Sequence, residues 1–315
     1  MILNGFFHSS VLLSEVVEGL KVKPKEKYID ATIGGGGHTD EILRRGGIVL
    51  GIDADENAIR YVENKLKIQS RHGGTKFKIN KDLFLKQGNF ADLKKIANKY
   101  GFNRVAGVLF DLGMSTYQLE HSGRGFSFKV DEPLDMRRDR RIKTTAADIV
   151  NTYSSEELYE IFTKYAEELN SLAIARACVR ARSLKKKILR TNQLRDLLWE
   201  ITNSVSPGAS DIRKLNVFRK MTARIFQALR IVVNDELENL KKGLSQAIDL
   251  LKPEGRLAIL SYHSLEDRLV KIRFKDGESK GYLHIVTKTP IEAGWEEIKI
   301  NSASRSAKLR IAQKL

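Results

Sequence analysis

The stretch DATIGGGGHTDEI, residues 30–42, decides how this chain of 315 residues is read. It begins at the end of an apolar, strand-like segment, KYIDATI (27–33), and runs through four consecutive glycines into a short helix expected over 39–45. A glycine-rich turn after the first strand of an α/β unit leaves bare backbone against which a ligand can lie. A dinucleotide site requires G-x-G-x-x-G/A there, with the last small residue packing helix on strand. Counted from Gly34 the sixth position is Thr39, and counted from Gly35 it is Asp40, so that fingerprint fails in both registers. No G-K-[ST] follows either, which excludes a Walker P-loop.

S-adenosylmethionine makes different demands. It carries no phosphate but has a sulfonium cation, an amino acid tail, a ribose diol and an adenine, so acidic groups are expected near the glycines. Asp30 precedes them, and Asp53 closes the second strand, IVLGIDAD (48–55), where a carboxylate can accept both ribose hydroxyls. Phe90, after QGN at the end of a third strand (84–90), can cover the adenine. Alone, the glycines specify a tight turn and Asp53 a helix N-cap; in strand order together they favour a nucleoside cofactor.

Around this turn the chain alternates. A helix, ENAIRYVENKLK, follows the second strand, ADLKKIANKY lies between strands three and four, and VAGVLFDLGMS (105–115) is the fourth. Such alternation implies a parallel sheet covered by helices on both faces, a doubly wound α/β fold. It stops over 116–222, where helical periodicity replaces strands and basic runs appear at 137–141 (RRDRR) and 185–187 (KKK). Ser154 and Glu157 have capping-box spacing, and Leu158, Ile161, Phe162 and Tyr165 share a helical face. TNQLRDLLWEIT is a further helix, closed by Pro207-Gly208. A long amphipathic stretch runs over 224–251, followed by strands expected at 256–264, LHIVTK and AKLRIAQKL. The sequence thus divides into an α/β domain, 1–115 and 223–315, and an inserted helical domain, 116–222.

Bulk properties narrow the partner. The formal charge of +16 favours a polyanion, and 42% hydrophobic residues suit a folded core. No apolar run reaches the roughly 18 residues of a membrane span, and MILNGFFHSS lacks a basic signal-peptide n-region, so a soluble cytoplasmic protein is expected. Cys178 is the single cysteine, within ARACVRARS, and reads as a small core residue. Methylation at carbon five of a pyrimidine normally requires a cysteine nucleophile; transfer to an amine or a ribose hydroxyl does not. The six histidines, His8, His38, His72, His121, His263 and His284, show no metal-binding spacing.

Asp111 carries the candidate chemistry. LFDLGMS sets it at the carboxyl edge of strand four, beside Gly113 and Ser115. The exocyclic amine of cytosine is a weak nucleophile because its lone pair is delocalised into the ring. A carboxylate accepting its hydrogens localises that pair for in-line attack on the sulfonium methyl. The alternative for Asp111 is a cofactor-binding or strand-capping role. A nicotinamide oxidoreductase and a non-catalytic RNA-binding factor are the other classes considered, and cofactor binding separates all three.

With these segments in view the chain resembles, end to end, the bacterial ribosomal RNA small subunit methyltransferase H family. The resemblance is carried by HSSVLL (8–13), DATIGGGGHT (30–39), GIDAD (51–55), GNF (88–90), DLGMSTYQL (111–119), RGFSF (124–128), PLDMRRD (133–139), FQALRIVVNDEL (226–237), GRLAILSYHSLEDRLVK (255–271), TKTPI (287–291) and SRSAKLR (304–310). It implies a Rossmann-like methyltransferase sheet with a helical domain inserted after strand four. It further implies S-adenosylmethionine as cofactor and methyl transfer to N4 of a cytidine in the decoding region of small-subunit (16S) ribosomal RNA. The expected route is direct displacement, with neither metal nor covalent intermediate, and the expected partner is ribosomal RNA in an assembled or nearly assembled subunit. Cofactor contacts fall on Gly36, Gly37, His38, Asp53, Phe90, Asp111 and Gln118, of which His38 and Gln118 come from the resemblance alone. The chain departs from the family where RKMTAR precedes FQALRI and where NSASRSAKLR lacks the usual proline and one arginine.

DLGMS is also not the aspartate-proline-proline-aromatic signature of many amino-methyltransferases, so the ring that stacks on the target base must come from elsewhere. RGFSF offers Arg124, Phe126 and Phe128, a cation with two rings at alternate positions, suited to a flipped base or, alternatively, to anchoring the insertion. Arg137, Arg138, Arg140 and Arg141 read as phosphate contacts or as a solvated basic loop. Ser261, His263 and Asp267 lack a nucleophile elbow, which argues against a hydrolase triad; His263 is expected to order the pocket rim or touch RNA.

Overall fold

The computed structural model describes residues 10–71, 77–115, 117–184 and 186–315. His8, His72, Thr116 and Lys185, each drawn into the sequence reading, lie outside the described residues. The chain forms two compact units, Met1–Ser115 with Leu237–Leu315, and Thr116–Glu236.

The first unit is built on seven strands: β1 (Lys27–Asp30), β2 (Ile48–Asp53), β3 (Leu83–Gln87), β4 (Val105–Asp111), β5 (Leu251–Ser261), β6 (Leu283–Ile285) and β7 (Lys308–Lys314). Their order across the sheet is 3-2-1-4-5-7-6. β1 to β5 pair in parallel, whereas β7 runs antiparallel to both β5 and β6, so the sheet is mixed rather than wholly parallel. Order reverses between β1 and β4, and a ligand crevice opens at the carboxyl ends of such a pair.

Helices alternate with the strands along the chain and fill the second unit. In chain order they are α1 (Leu13–Gly19), α2 (Gly37–Arg44), α3 (Glu56–Arg71), α4 (Leu93–Lys99), α5 (Ala146–Thr152), α6 (Ser155–Ala166), α7 (Ser171–Ser183), α8 (Thr191–Val205), α9 (Asp211–Asn234), α10 (Glu236–Leu250), α11 (Ser264–Ser279) and α12 (Trp295–Ile300), with α5 to α9 belonging to the second unit. Strand residues alternate between the two faces. Ile29, Leu50, Val108, Phe110, Leu257 and Ile259 join Leu93, Leu240, Leu244 and Phe274 in one continuous core. Tyr28, Val49 and Leu109 are also fully buried, which is why these strands read as unbroken apolar runs. Each such Leu, Val or Phe contributes about 1.5–3 kcal/mol through its burial.

In the second unit α6 packs on α7 and α9, and α8 packs on α9. Ser154 and Glu157 form the expected capping box at the start of α6, while Leu158, Ile161 and Phe162 are buried and Tyr165 is half-buried. A second box, Thr145 with Asp148, opens α5. The long amphipathic stretch over 224–251 is shared by two helices. α9 begins at Asp211 and ends at Asn234, Asp235 turns the chain at φ 49°, and α10 follows. The boundary expected between 222 and 223 therefore falls inside α9, and the units divide after Glu236. Among the described residues no helix is long and apolar enough to cross a membrane.

Candidate active site at the carboxyl ends of β1, β2 and β4

The glycine turn is held by acids on either side. Asp30, 1% exposed, accepts Thr32 N–H at 3.2 Å and the Thr39 hydroxyl at 2.7 Å, tying the first turn of α2 back to β1. Burial pushes its carboxyl above the usual range, against the Thr39 hydrogen bond and the His38 ring. Both Asp30 oxygens are thereby turned into the fold. Gly34 (φ +49°) and Gly36 (φ +75°) occupy left-handed conformations that side chains disfavour, and a Cβ on Gly36 would stand 3.0 Å from Val62 Cγ2. Gly37 starts α2, and the N-cap of that helix, Gly36, has no side chain to cap it.

Asp53 ends β2 and faces the same turn. Its Oδ2 accepts Gly34 N–H and its Oδ1 accepts Asp55 N–H, both at 2.9 Å. Asp53 thereby fixes the turn from the end of the neighbouring strand. Phe90, half-buried, lies edge-on to the core ring of Phe110 at 5.5 Å.

Asp111 ends β4. Its N–H donates to the Thr32 hydroxyl at 2.6 Å, linking the ends of β1 and β4. Its Oδ1 accepts the Tyr262 hydroxyl at 2.8 Å and Gly113 N–H at 3.3 Å. Its Oδ2 lies 3.7 Å from His38 Nδ1, and the Asp111 side chain keeps 23% exposure. His38 is 5% exposed, with Nε2 3.0 Å from the Val11 carbonyl. A carbonyl only accepts, so Nε2 carries the hydrogen and Nδ1 is the nitrogen turned toward Asp111. The structure thus brings Gly36, Gly37, His38, Asp53, Phe90 and Asp111 into one unit, at or just beyond the ends of β1 to β4. Thr32 and Tyr262 were missed by the sequence reading, because nothing local marks which hydroxyl a distant aspartate will meet.

Asp267 and His263 are engaged elsewhere. Asp267 receives a bidentate hydrogen bond from Arg310 of β7 at 2.7 and 3.1 Å. Burial opposes its ionisation, and Arg310 overcomes this to hold the carboxyl below the usual range. His263 is the N-cap of α11 and pairs with Glu266, Nε2 to Oε1 at 3.1 Å. With Asp267 on Arg310 and His263 on Glu266, no triad assembles.

In the second unit Gln118 lies on a single π-helical turn, Tyr117–His121, and is 6% exposed. Arg124, 2% exposed, donates to the carbonyls of Arg137 and Arg138 at 3.1 and 3.0 Å and lies 5.3 Å from the Phe126 ring centroid. Phe126 is buried, and Phe128 packs edge-on to Phe226 at 5.7 Å. Arg137 forks onto Asp135 at 2.7 and 2.8 Å; burial of Asp135 resists the charge, and the Arg137 hydrogen bonds leave its carboxyl below the usual range. Arg138 pairs with Glu236 at 3.2 Å, and Arg141 with Asp139 at 2.6 Å. Arg140 is exposed. Asn234, another residue the sequence reading missed, accepts Arg138 N–H and donates to the Met136 carbonyl, pinning this loop to the end of α9. Cys178 is fully buried in α7, and burial pushes its thiol up to about 12, the opposite of what a nucleophile needs.

A model of the MraW methylase family matches residues 5–315. The chain belongs to this family. It is 41% identical to the ribosomal RNA small subunit methyltransferase H of Carboxydothermus hydrogenoformans, with 98% of each chain covered. It is 38% identical to the protein of that name from Clostridium botulinum strain Loch Maree, over 98% of this chain and 99% of the relative. A solved rRNA methylase from Streptococcus thermophilus aligns at 12% identity and a TM-score of 0.41, covering 96% of this chain and 92% of the other. The protein is a methyltransferase with a Rossmann-like sheet, and its cofactor is S-adenosylmethionine.

Proposed function

We propose that this methyltransferase acts on small-subunit ribosomal RNA and methylates the exocyclic N4 of a cytidine in the decoding region. The observation that carries the reading is Asp111, a part-exposed carboxylate fixed at the end of β4 by Thr32, Gly113 and Tyr262. S-adenosylmethionine supplies a methyl group on a sulfonium. Gly36 and Gly37 give bare backbone for it, Asp53 accepts the ribose hydroxyls, and Phe90, His38 and Gln118 complete the cofactor contacts. Asp111 accepts hydrogen from the cytidine amine, which restores nucleophilic character to the nitrogen. As the nitrogen–carbon bond forms, the sulfur–carbon bond breaks, S-adenosylhomocysteine leaves, and the amine proton passes to Asp111 or to water. The route involves no covalent enzyme intermediate.

The second unit, Thr116–Glu236, is the substrate-binding part. Arg124, Phe126, Arg137, Arg138 and Arg141 shape its basic loop, and the exposed Arg140 presents charge to phosphates. Phe128 and His263 remain candidates for the substrate side. An assembled or nearly assembled subunit in the cytoplasm is the proposed partner.

The test is transfer from methyl-labelled S-adenosylmethionine to small subunits from cells lacking the protein, followed by nucleoside analysis of the digested RNA. Label in N4-methylcytidine is the expected result. Cofactor binding with no transfer to RNA from any assembly stage would overturn the reading.

A further inference from the structure

Asp111 and Leu260 are register partners in β4 and β5, so Gly113 and Tyr262, two residues beyond each, lie across from one another where the pairing ends. A Cβ built on Gly113 would stand 2.8 Å from both Cε2 and Cζ of the Tyr262 ring, and 3.2 Å from Asp111 Oδ1. Gly113 is not among the positive-φ residues, so its backbone tolerates a side chain and only the tyrosine ring forbids one. The phenol that crosses this gap donates to Asp111 Oδ1 at 2.8 Å.

We propose that Tyr262 is a positioning residue for methyl transfer. Its hydroxyl, reaching over the bare Gly113, holds the Asp111 carboxylate so that Oδ2 is turned to accept hydrogen from the substrate amine. The inference rests on the proposed role of Asp111. With the phenol and Gly113 N–H both on Oδ1, Oδ2 is the oxygen with capacity to spare, and the His38 ring 3.7 Å away limits its other side. Burial, and then the charge of Asp111, push the phenol well above its ordinary range, with Glu266 and Glu297 adding in the same direction. Tyr262 therefore stays a donor at every working pH. Its partner lies 151 residues away in the chain, so the pairing is a product of the β4–β5 register.

The experiment compares the full-length protein with Tyr262→Phe, Gly113→Ala, the double variant and Asp111→Asn, measuring transfer to subunits, donor affinity and melting temperature. Tyr262→Phe should lower kcat roughly tenfold to a hundredfold, as expected for losing a hydrogen bond to a charged group. It should change the dissociation constant for S-adenosylmethionine by less than about threefold, on the view that the lost bond acts in the transition state. Gly113→Ala should reproduce these changes by displacing the ring, and adding Tyr262→Phe to it should cost less than about a further twofold. A Tyr262→Phe protein with unchanged kcat, one that loses donor affinity in step with kcat, or one that only melts earlier, would overturn the inference. If Asp111→Asn abolishes transfer while Tyr262→Phe leaves kcat unchanged, the inference alone fails. If Asp111→Asn is fully active, the reading of Asp111 fails as well.

Discussion

The edge of the sheet and the basic loop of the second unit handle charge in opposite ways. At the edge, Asp53 and Asp111 are fixed by backbone N–H groups and one hydroxyl, and Asp111 keeps acceptor capacity on Oδ2 beyond those bonds. In the loop, Arg124, Arg137, Arg138 and Arg141 each engage a carbonyl or carboxylate of their own unit. A carboxylate has lone pairs to spare after two hydrogen bonds, whereas a guanidinium forked onto one acid has little charge left to offer. Density of charge in a sequence is therefore a poor guide to where a ligand binds; residual bonding capacity after folding is a better one.

The contrast is open to attack at several points. Asp111→Asn should lower kcat on the order of a thousandfold with donor affinity little changed, as expected for loss of a general base. A large loss of donor binding instead would make Asp111 a cofactor residue. Asp53→Ala should weaken S-adenosylmethionine binding about a hundredfold, measured calorimetrically, since it removes the acceptor for two hydroxyls and releases Gly34 N–H.

Away from the edge the consequences turn to stability. Asp267→Asn should cost about 2 kcal/mol by leaving Arg310 without its charge-assisted pair. Because the Asp267 carboxyl is depressed in the folded protein, the stability it contributes is fully present above about pH 3.9, the ordinary aspartate value, and is lost as pH falls through the lower folded value. Acid unfolding of wild type and variant should accordingly converge below that window; parallel curves throughout would refute the linkage.

Binding of RNA should weaken steeply with salt, and Arg140→Ala should reduce the salt slope by about one unit while Arg137→Ala mainly lowers melting temperature. Equal effects of the two on the slope would erase the distinction between exposed and internally paired arginines. The smallest change is expected for Cys178→Ala, with kcat within about twofold and a loss near 1 kcal/mol from the packing defect. Loss of transfer with retained folding would reopen a covalent route.

Much of this was legible in the chain. Four glycines after a buried strand, acids at 30, 53 and 111 in strand order, and a stretch without strand periodicity identified the sheet, its ligand edge and the insertion. The Ser154–Glu157 box was readable because capping is local, its partners three residues apart. The antiparallel seventh strand was less visible, since apolar periodicity reports burial and not direction. The break at Asp235 was hidden because α9 and α10 are both amphipathic and a left-handed residue between them carries no hydrophobic signal.

Composition and spacing by themselves determined that this chain folds as an α/β protein, and they marked a glycine turn expected to hold a nucleoside and a basic helical stretch, because those features depend on neighbours in sequence. Only the tertiary structure decided that Asp30 is a buried tie, that Arg124 braces a loop, and that Tyr262 crosses Gly113 to hold Asp111. Those outcomes depend on which polar atoms meet across strands and helices, and hydrogen bonds between residues far apart in the chain leave no periodic trace in it.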